Sequence, residues 1–343
     1  MHSFKNKAVK KTACVLAGDI GGTKTHLGLF VPGKMRPVAR VSATFSSRDA
    51  DSLEAIVAHM LECYPAKIKT GCFGIAGPVI NGECRTTNLP WVVSEKKLRR
   101  RFGWQQVRLI NDLSSTAMAI PLLNGREFKA LNSPRVRRGQ NIGLVAPGTG
   151  LGQALLVYVG GRYQPIASEG GHANFAPSDA RETDLWQYLH ARFDHVSMER
   201  VISGQGLVNI YAWLKSEGGF TESPAIQQAM RASDPARVIT KNAIKGKDPL
   251  CLAALQRFCR IFGSIAGNLA LTGLTTGGIF LGGGIPPKIL PALEDGNFMA
   301  AFIAKGRFKA FMKKMAVRVI LNDKAALLGA ARCGLELQRA GLS

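Results

Sequence analysis

A strand, glycine turn and strand pattern occurs twice in the sequence, and it constrains the fold more than any other feature. Apolar segments at residues 14–17 and 25–30 flank a turn containing Gly21-Gly22. Apolar segments at 142–146 and 154–159 flank the second glycine turn. Each apolar pair predicts an antiparallel hairpin. The repetition predicts two related halves that face one cleft.

Strands and helices alternate after each hairpin. In the first half we predict a strand near 37–45, an amphipathic helix near 51–64, a strand at 71–77, a helix at 95–101, a strand at 107–110 and a helix from Asn111. In the second half helices dominate, with the longest at 253–271, before strands at 278–281 and 317–321 and a helix at 324–339. This order is typical of α/β layers with helices packed on a mixed sheet.

The composition is strongly basic, with 45 Lys and Arg against 23 Asp and Glu and a formal net charge of +22. The basic clusters at 99–101, 135–138 and 305–314 are far apart in the chain. They are not interleaved with the aromatic residues on which single-stranded nucleic acids stack. We therefore expect no specific nucleic-acid partner, only solvated faces and weak attraction for anionic metabolites.

The cysteines and the apolar runs bear on the compartment. Seven cysteines are scattered without Cys-x-x-Cys spacing, which favours reduced thiols over disulfides or zinc. No apolar run approaches the about 20 residues that cross a bilayer. The basic leader at 1–11 lacks the apolar core of a secretory signal. We expect a cytoplasmic protein without a membrane partner.

The first turn is a candidate phosphate site. Its residues are Gly18, Asp19, Ile20, Gly21, Gly22 and Thr23. They nearly match a P-loop, with Thr23 where a glycine is required before Lys24-Thr25. An apolar strand follows, whereas a P-loop needs a helix there. A tight hairpin can still present backbone N–H groups to an anion, or be only a turn.

Two further glycine segments extend this interpretation. Gly148, Thr149 and Gly150 form a second turn between apolar strands, so two phosphate clamps could face each other. Gly282 and Gly283 end a buried strand before Ile285-Pro286. That turn could admit the flat face of adenosine or merely restart a helix.

Polar residues supply candidates for chemistry. Asp112 follows a buried strand at the start of a helix, where it is either an N-cap or a base for a hydroxyl group that attacks phosphorus. Asn111 could orient a sugar hydroxyl. Glu169 and His172 flank two glycines that argue against a helix, and polar groups on such a loop suit polyol recognition, although a lone histidine is more often structural. Glu199 by itself is a helix-start carboxylate.

The ordered set of these motifs resembles the bacterial-type glucokinase family over nearly the whole chain. The set comprises residues 18–23, 111–112, 148–152, 169–172, the run from Glu199 to Tyr211, and 282–284. The resemblance implies an α/β, actin-like/RNase H-like ATPase fold with a central interdomain cleft, commonly as a homodimer. The small domain would comprise residues 1–122, joined by a C-terminal helix at about 322–343, and the large domain 123–321.

The same resemblance implies roles for the candidate residues. The chain would transfer the γ-phosphoryl group of ATP to the 6-hydroxyl of D-glucose, the first step of glycolysis. Asp112 would be the base, and Asn111, Asp112, Glu169, His172 and Glu199 would contact the sugar. The segments 18–23 and 148–150 would hold the ATP phosphates, and Gly282 and Gly283 would face adenosine. Mg²⁺ would bind through the phosphates with no direct protein ligand and with Asp19 in its outer shell.

Some alternatives stay open at the level of sequence. Pro147 stiffens the entry to the second turn, where a more flexible residue is expected. The related ROK sugar kinases carry a Cys/His zinc cluster, and this chain has none, which favours the glucokinase branch. A kinase for another hexose and a non-catalytic actin-like ATP- or sugar-binding regulator are the rival functions. Polyphosphate is an alternative donor to ATP.

Overall fold

The computed structural model describes residues 14–86 and 88–341, which form two compact units. The first unit contains the chain up to Leu123 and again from Asn322, and the second unit is Asn124–Leu321. The basic leader at 1–11 lies outside the described residues. Each unit has its own sheet and its own apolar core.

The first unit begins with the predicted hairpin. Its elements are β1 (Cys14–Ile20), β2 (Lys24–Val31), β3 (Val38–Ser46), α1 (Leu53–Cys63), β4 (Ile68–Ile75), β5 (Glu83–Arg85), β6 (Val92–Ser94), α2 (Glu95–Phe102), β7 (Gln106–Asn111) and α3 (Asp112–Ala119). The predicted strands and helices of this half are confirmed within a few residues, and the short β5–β6 hairpin was not predicted. Helix α1 buries Leu53, Ile56, Val57 and Met60, the apolar face that its periodicity indicates.

The main sheet of the first unit has the strand order β3-β2-β1-β4-β7. Strands β1, β2 and β3 pair antiparallel, whereas β4 pairs parallel with both β1 and β7. The sheet is therefore mixed, as the sequence predicts. Because the carboxyl ends of β1, β4 and β7 lie at one edge, the residues that follow these strands share that edge.

The second unit supplies most of the helices. Its elements are β8 (Phe128–Ala130), β9 (Ile142–Pro147), β10 (Leu151–Val159), β11 (Arg162–Ser168), α4 (Ala180–His190), α5 (Gly204–Ser216), α6 (Pro224–Ala232), α7 (Pro235–Ile244), α8 (Pro249–Thr272), β12 (Gly278–Leu281), α9 (Leu290–Glu294), α10 (Asn297–Ile303), α11 (Lys309–Met312) and β13 (Val317–Ile320). The strand order is β11-β10-β9-β12-β13-β8. Its first five strands repeat the arrangement of the first sheet, three antiparallel strands followed by two parallel ones. The repetition seen in the two hairpins thus extends to the whole sheet.

The final helix, α12 (Ala325–Ala340), belongs to the first unit and packs on β1, β4 and α3. The hydroxyl of Ser115 on α3 donates a hydrogen bond to the carbonyl oxygen of Ala326, 2.6 Å away. Gly329 lies so close to α3 that a Cβ atom there would clash with the carbonyl oxygen of Ser115. Helix α12 therefore holds α3, the helix that begins at Asp112.

Helix α8 forms the centre of the second core. Its 24 residues make it long and apolar enough to cross a membrane, so the expectation that no apolar run approaches that length is wrong. Small and aromatic side chains keep it apolar although it carries Arg257 and Arg260. Most of the helix is buried inside the unit, where Phe258 and Phe262 pack with Phe298. Its apolar surface is thus used by the unit's own core.

Candidate active site

The first glycine turn joins β1 to β2 in the first unit. The N–H of Gly21 donates to the carbonyl oxygen of Lys24 at 3.0 Å. Ser47, which follows β3, clamps the turn: its hydroxyl donates to the Gly21 carbonyl at 2.8 Å and its N–H to the Thr23 carbonyl at 2.9 Å. Two backbone hydrogen bonds and one from the Ser47 hydroxyl therefore fix the turn, as a preformed anion site requires.

The glycines of this segment serve different purposes. A Cβ atom at Gly22 would lie 2.6 Å from the Cβ atom of Asn88, so the turn approaches a neighbouring loop closely. Gly18 is within β1, where a Cβ atom would meet the side chain of Phe73 at 2.5 Å. Ile20 is 1% exposed and belongs to the core. The side chain of Ile20 is thus not offered to a ligand, and packing accounts for Gly18.

Asp19 and Asp112 influence each other in the first unit. Asp19 lies on β1 opposite His26 of β2. Burial raises the pKa of Asp19 to about 7, and the negative charge of Asp112 contributes to the increase. Two carboxylates beside a glycine turn form an oxygen-rich pair that a hard cation such as Mg²⁺ would neutralise.

Asn111, rather than Asp112, is the N-cap of α3. Its Oδ1 atom accepts hydrogen bonds from the N–H groups of Leu113 at 3.0 Å and Ser114 at 3.3 Å. Its Nδ2 atom donates to the carbonyl oxygen of Gly77 at 3.3 Å and carries a second hydrogen. Asp112 is the first helical residue, and its Oδ1 atom accepts from the N–H of Leu113 at 2.9 Å. The N-cap alternative for Asp112 is therefore wrong, because the helix begins one residue later.

The second glycine turn joins β9 to β10 in the second unit. The N–H of Gly148 donates to the carbonyl oxygen of Gly150 at 2.8 Å, and the Gly148 carbonyl accepts from the N–H of Gly204 at 2.9 Å. Thr149 at the tip is exposed. Pro147 closes β9 and pairs with Leu151. Its rigid ring is thus accommodated at the end of a strand.

Glu199 contacts this second turn. It lies in a short 3₁₀ turn, Met198–Arg200, ahead of α5. Its Oε2 atom accepts a hydrogen bond from the N–H of Leu151 at 2.8 Å. Glu199 is thus the acidic residue in the first turn of this short helix, as the helix-start interpretation expects, whereas the N-cap of the longer helix α5 is Ser203. The sequence held no signal for this contact, since its partners are 48 residues apart.

The segment from Glu169 to His172 packs against the start of β10. Gly170–His172 forms a single 3₁₀ turn, so the expectation that the two glycines exclude a helix is wrong for this short element. A 3₁₀ turn needs only one i→i+3 bond, here from the N–H of His172 to the Glu169 carbonyl at 2.9 Å. Atoms Nε2 of His172 and Oε2 of Glu169 are 4.0 Å apart, and both side chains are mostly exposed.

Gln153 on β10 is a supporting residue that sequence reasoning missed. Its side chain is buried, and its Nε2 atom lies 3.3 Å from the sulfur of Met198, the neighbour of Glu199. A Cβ atom at Gly170 would approach Oε1 of Gln153 to 2.8 Å. Gln153 therefore contacts both segments that carry candidate sugar ligands. Its position soon after the glycine turn is the only sequence signal that could have indicated it.

The third glycine turn follows β12 and packs against the second. The N–H of Gly282 donates to the carbonyl oxygen of Val145 at 2.9 Å. Gly283 has a φ of +79°, and a Cβ atom there would clash with the carbonyl oxygen of Pro147. The predicted turn at the end of a buried strand is confirmed. The second unit thus brings together Gly148–Gly150, Gly282–Gly283 and Glu199.

Comparison with known proteins decides the family. The family model described as Glucokinase matches residues 16–337 of this chain. The chain belongs to the glucokinase family. Family membership makes it an ATP-dependent hexose kinase with the actin-like ATPase fold, so the predicted family, enzyme class and fold class are confirmed.

Individual glucokinases match over nearly their full length. A Nostoc glucokinase is 39% identical over 339 residues, which cover 94% of this chain and 99% of the relative. The crystal structure of a glucokinase from an Antarctic psychrotroph has a TM-score of 0.86 and 31% identity, covering 95% of this chain and 100% of that one. The glucokinase from Balamuthia mandrillaris, solved in complex with glucose, has a TM-score of 0.76, 23% identity and 96% coverage of each chain, and shares the fold.

Proposed function

We propose that this glucokinase-family chain transfers the γ-phosphoryl group of ATP to the 6-hydroxyl of D-glucose, giving glucose 6-phosphate and ADP. The observation that carries the proposal is the placement of Asp112 at the start of α3, close enough to Asp19 for its charge to raise the pKa of that carboxyl. Phosphoryl transfer depends mainly on positioning and charge neutralisation, and a nearby carboxylate can accept the proton of the attacking hydroxyl.

Asp112 is the proposed base. Its backbone is fixed by the first turn of α3, and the N–H of Leu113 holds Oδ1. Because Asn111 caps the helix, the carboxylate of Asp112 is not required for that task. The second hydrogen on Nδ2 of Asn111 is then the proposed donor to a sugar hydroxyl.

The remaining sugar contacts come from the second unit. Glu169 and His172 present mostly exposed side chains from one 3₁₀ turn, and Glu199 presents a carboxylate from another. Carboxylates accept hydrogen bonds from hydroxyls, and a histidine ring can donate or accept. We assign all three to glucose hydroxyls.

The glycine turns are the proposed nucleotide contacts. We assign the backbone of Gly18–Thr23 and of Gly148–Gly150 to the ATP phosphates, and Gly282 and Gly283 to adenosine. The hydrogen bonds that fix both turns support this, because a preformed turn does not need to be ordered when the anion binds. The side chain of Ile20 lies in the core, so its contribution is limited to the backbone.

The residues present fit a magnesium ion bound through phosphate. Among residues 14–86 and 88–341, no group of three or more His, Cys, Asp or Glu side chains is arranged to hold a metal ion. A cation near Asp19 and Asp112 would therefore take oxygens from the phosphates, with Asp19 in its outer shell. Bound Mg²⁺ would neutralise charge on the phosphates during transfer. The high pKa of Asp19 is consistent with a carboxyl that gains from a nearby cation.

We extend the proposal to the cellular context and the assembly. The free cysteines among the described residues suit a reducing cytoplasm, and the product suits the first step of glycolysis. The proposed small domain comprises residues 1–122 and the C-terminal helix at about 322–343, and the proposed large domain comprises residues 123–321; the division of the chain into two compact units supports this proposal. A homodimer is the proposed assembly, as the family resemblance implies.

A substrate panel tests the function. Purified chain is assayed with Mg²⁺, with glucose, mannose, fructose and glucosamine as acceptors, and with ATP or polyphosphate as donors. We expect the highest kcat/KM for glucose with ATP. A kcat/KM for mannose, fructose or glucosamine that equals or exceeds the value for glucose would point instead to a kinase for another hexose. Glucose binding without turnover of any acceptor would point to the non-catalytic regulator.

A further inference from the structure

Gly150 lies directly against the carboxylate of Glu199. A Cβ atom at Gly150 would clash with Oε2 of Glu199 and lie 3.2 Å from its Cδ atom. The same Oε2 atom accepts the N–H of Leu151 at 2.8 Å. One carboxylate oxygen is thus held by the second glycine turn, at a position that only glycine leaves open.

Glu199 is also held to the turn through its backbone. The hydroxyl of Ser203 donates to the carbonyl oxygen of Glu199 at 2.8 Å. The next residue, Gly204, donates its N–H to the carbonyl oxygen of Gly148 at 2.9 Å. The segment from Glu199 to Gly204 therefore contacts the turn at both of its ends.

The other sugar segment meets the same point of the chain. A Cβ atom at Gly171, between Glu169 and His172, would clash with the carbonyl oxygen of Leu151. Leu151 thus donates its N–H to Glu199, and its carbonyl oxygen packs closely against the 3₁₀ turn that carries His172. Both candidate sugar segments of the second unit rest on the residue that ends the glycine turn.

We propose that the second glycine turn positions the sugar ligands, with Gly150 acting on glucose affinity through Glu199. This inference rests on the proposed function. Oε2 of Glu199 is engaged by the turn, whereas Oε1 is directed away, 3.9 Å from the position of a Cβ atom at Gly150. Oε1 is then the oxygen oriented toward a sugar hydroxyl. Gly150 is a positioning residue, since it acts through Glu199.

Glucose binding without nucleotide tests the proposal. Dissociation constants for glucose are measured by titration calorimetry on the full chain, for the unsubstituted protein, Gly150→Ala and Gly219→Ala. Gly219 is exposed in the loop after α5, and a Cβ atom there has no neighbour within 4 Å, so this control makes the same substitution without touching Glu199 or either glycine turn. We expect Gly150→Ala to weaken glucose binding by about 10-fold or more, and Gly219→Ala to change it by less than about 2-fold.

The outcomes separate this inference from the function on which it rests. If the unsubstituted chain does not bind glucose, the proposed function fails. If it binds glucose and Gly150→Ala binds equally well, or if both glycine variants weaken binding equally, the positioning role of Gly150 is overturned.

A second variant tests the same link should Gly150→Ala fail to fold. In Glu199→Gln, the side-chain amide oxygen takes the place of Oε2, because it is the atom that can accept the hydrogen bond from the N–H of Leu151. The amide nitrogen, a hydrogen-bond donor, then takes the place of Oε1. We expect glucose affinity to fall by about 10-fold or more. In the double variant with Gly150→Ala, where it folds, the loss should not exceed the larger single loss, because both changes act on one carboxylate. Retained affinity in Glu199→Gln, or losses that add in full, would overturn the proposal.

Discussion

Asp19 carries a pKa of about 7 because it is buried and because the negative charge of Asp112 lies nearby. The two residues come from different elements of the first unit, the strand β1 and the start of helix α3. Their proximity follows from the sheet, in which β1, β4 and β7 are parallel neighbours that end at one edge. The arrangement places a carboxyl with a high proton affinity beside the proposed base.

The raised pKa of Asp19 predicts a pH-dependent stability. In the unfolded chain the group titrates near 3.8 and in the folded chain near 7, so between these values the folded state binds more protons. Stability from this group is therefore complete below about pH 4 and is lost as the pH rises to about 7. We therefore expect the free energy of unfolding of the unsubstituted chain, measured relative to that of Asp19→Asn, to fall as the pH rises through this range. Above about pH 7 the difference between the two proteins should level off.

Urea unfolding at a series of pH values from about 4.5 to 8 measures this difference. Asp51→Asn, which makes the same substitution at an exposed site outside this pair, is the control for the substitution itself. A pH-independent difference for Asp19→Asn would contradict the burial of a titrating carboxyl at this position.

The close contact between α12 and α3 predicts that Gly329→Ala destabilises the first unit. A methyl group would clash with the carbonyl oxygen of Ser115, and overpacking of this kind costs about 1–3 kcal/mol. Gly334→Ala on the same helix is the matched control. The atoms nearest to a Cβ atom at Gly334 are in Cys72 at 3.3 Å and Val15 at 3.5 Å, which is too distant for a clash of this kind. Thermal and urea unfolding should show a clear loss for Gly329→Ala and a much smaller change for Gly334→Ala. Equal effects would mean that the approach of the two helices is not tight.

The proposed sugar ligands predict a change in substrate affinity. We expect Glu169→Ala and His172→Ala to raise the KM for glucose by about 5- to 100-fold, since a hydroxyl partner is lost. The KM for ATP should change much less. His59→Ala, which removes an exposed histidine from α1, is the control. Steady-state kinetics with each substrate varied in turn make the comparison, and an unchanged KM for glucose would remove the residue from the sugar site.

The hairpins and the long helices follow from local sequence patterns. Apolar strands around Gly21-Gly22 and around Gly148–Gly150 predict the paired strands directly, because turn chemistry and strand periodicity are local properties. Strand β11 was missed although Gly160 and Gly161, both with positive φ, form the two-residue turn that precedes it. That signal was present in the sequence, and a stricter search for Gly-Gly hairpin turns would have found it.

The details of the site depended on contacts that the sequence does not display. That Asn111 and not Asp112 is the N-cap of α3 depends on a one-residue difference in where the helix begins, which is finer than a sequence pattern resolves. The bond between Glu199 and Leu151 joins residues far apart in the chain. The burial of Gln153 depends on packing around β10. Local chemistry indicated the candidate residues, whereas tertiary packing set their burial and their hydrogen-bond partners.

The turnover of Asp112→Asn, measured in a coupled assay for glucose 6-phosphate with ATP and Mg²⁺, tests the proposed mechanism most directly. The amide keeps the size of the side chain but is a poor proton acceptor, so kcat should fall by roughly 10²–10⁴-fold while calorimetry shows that glucose still binds. Turnover equal to that of the unsubstituted chain would contradict the role of Asp112 as the base.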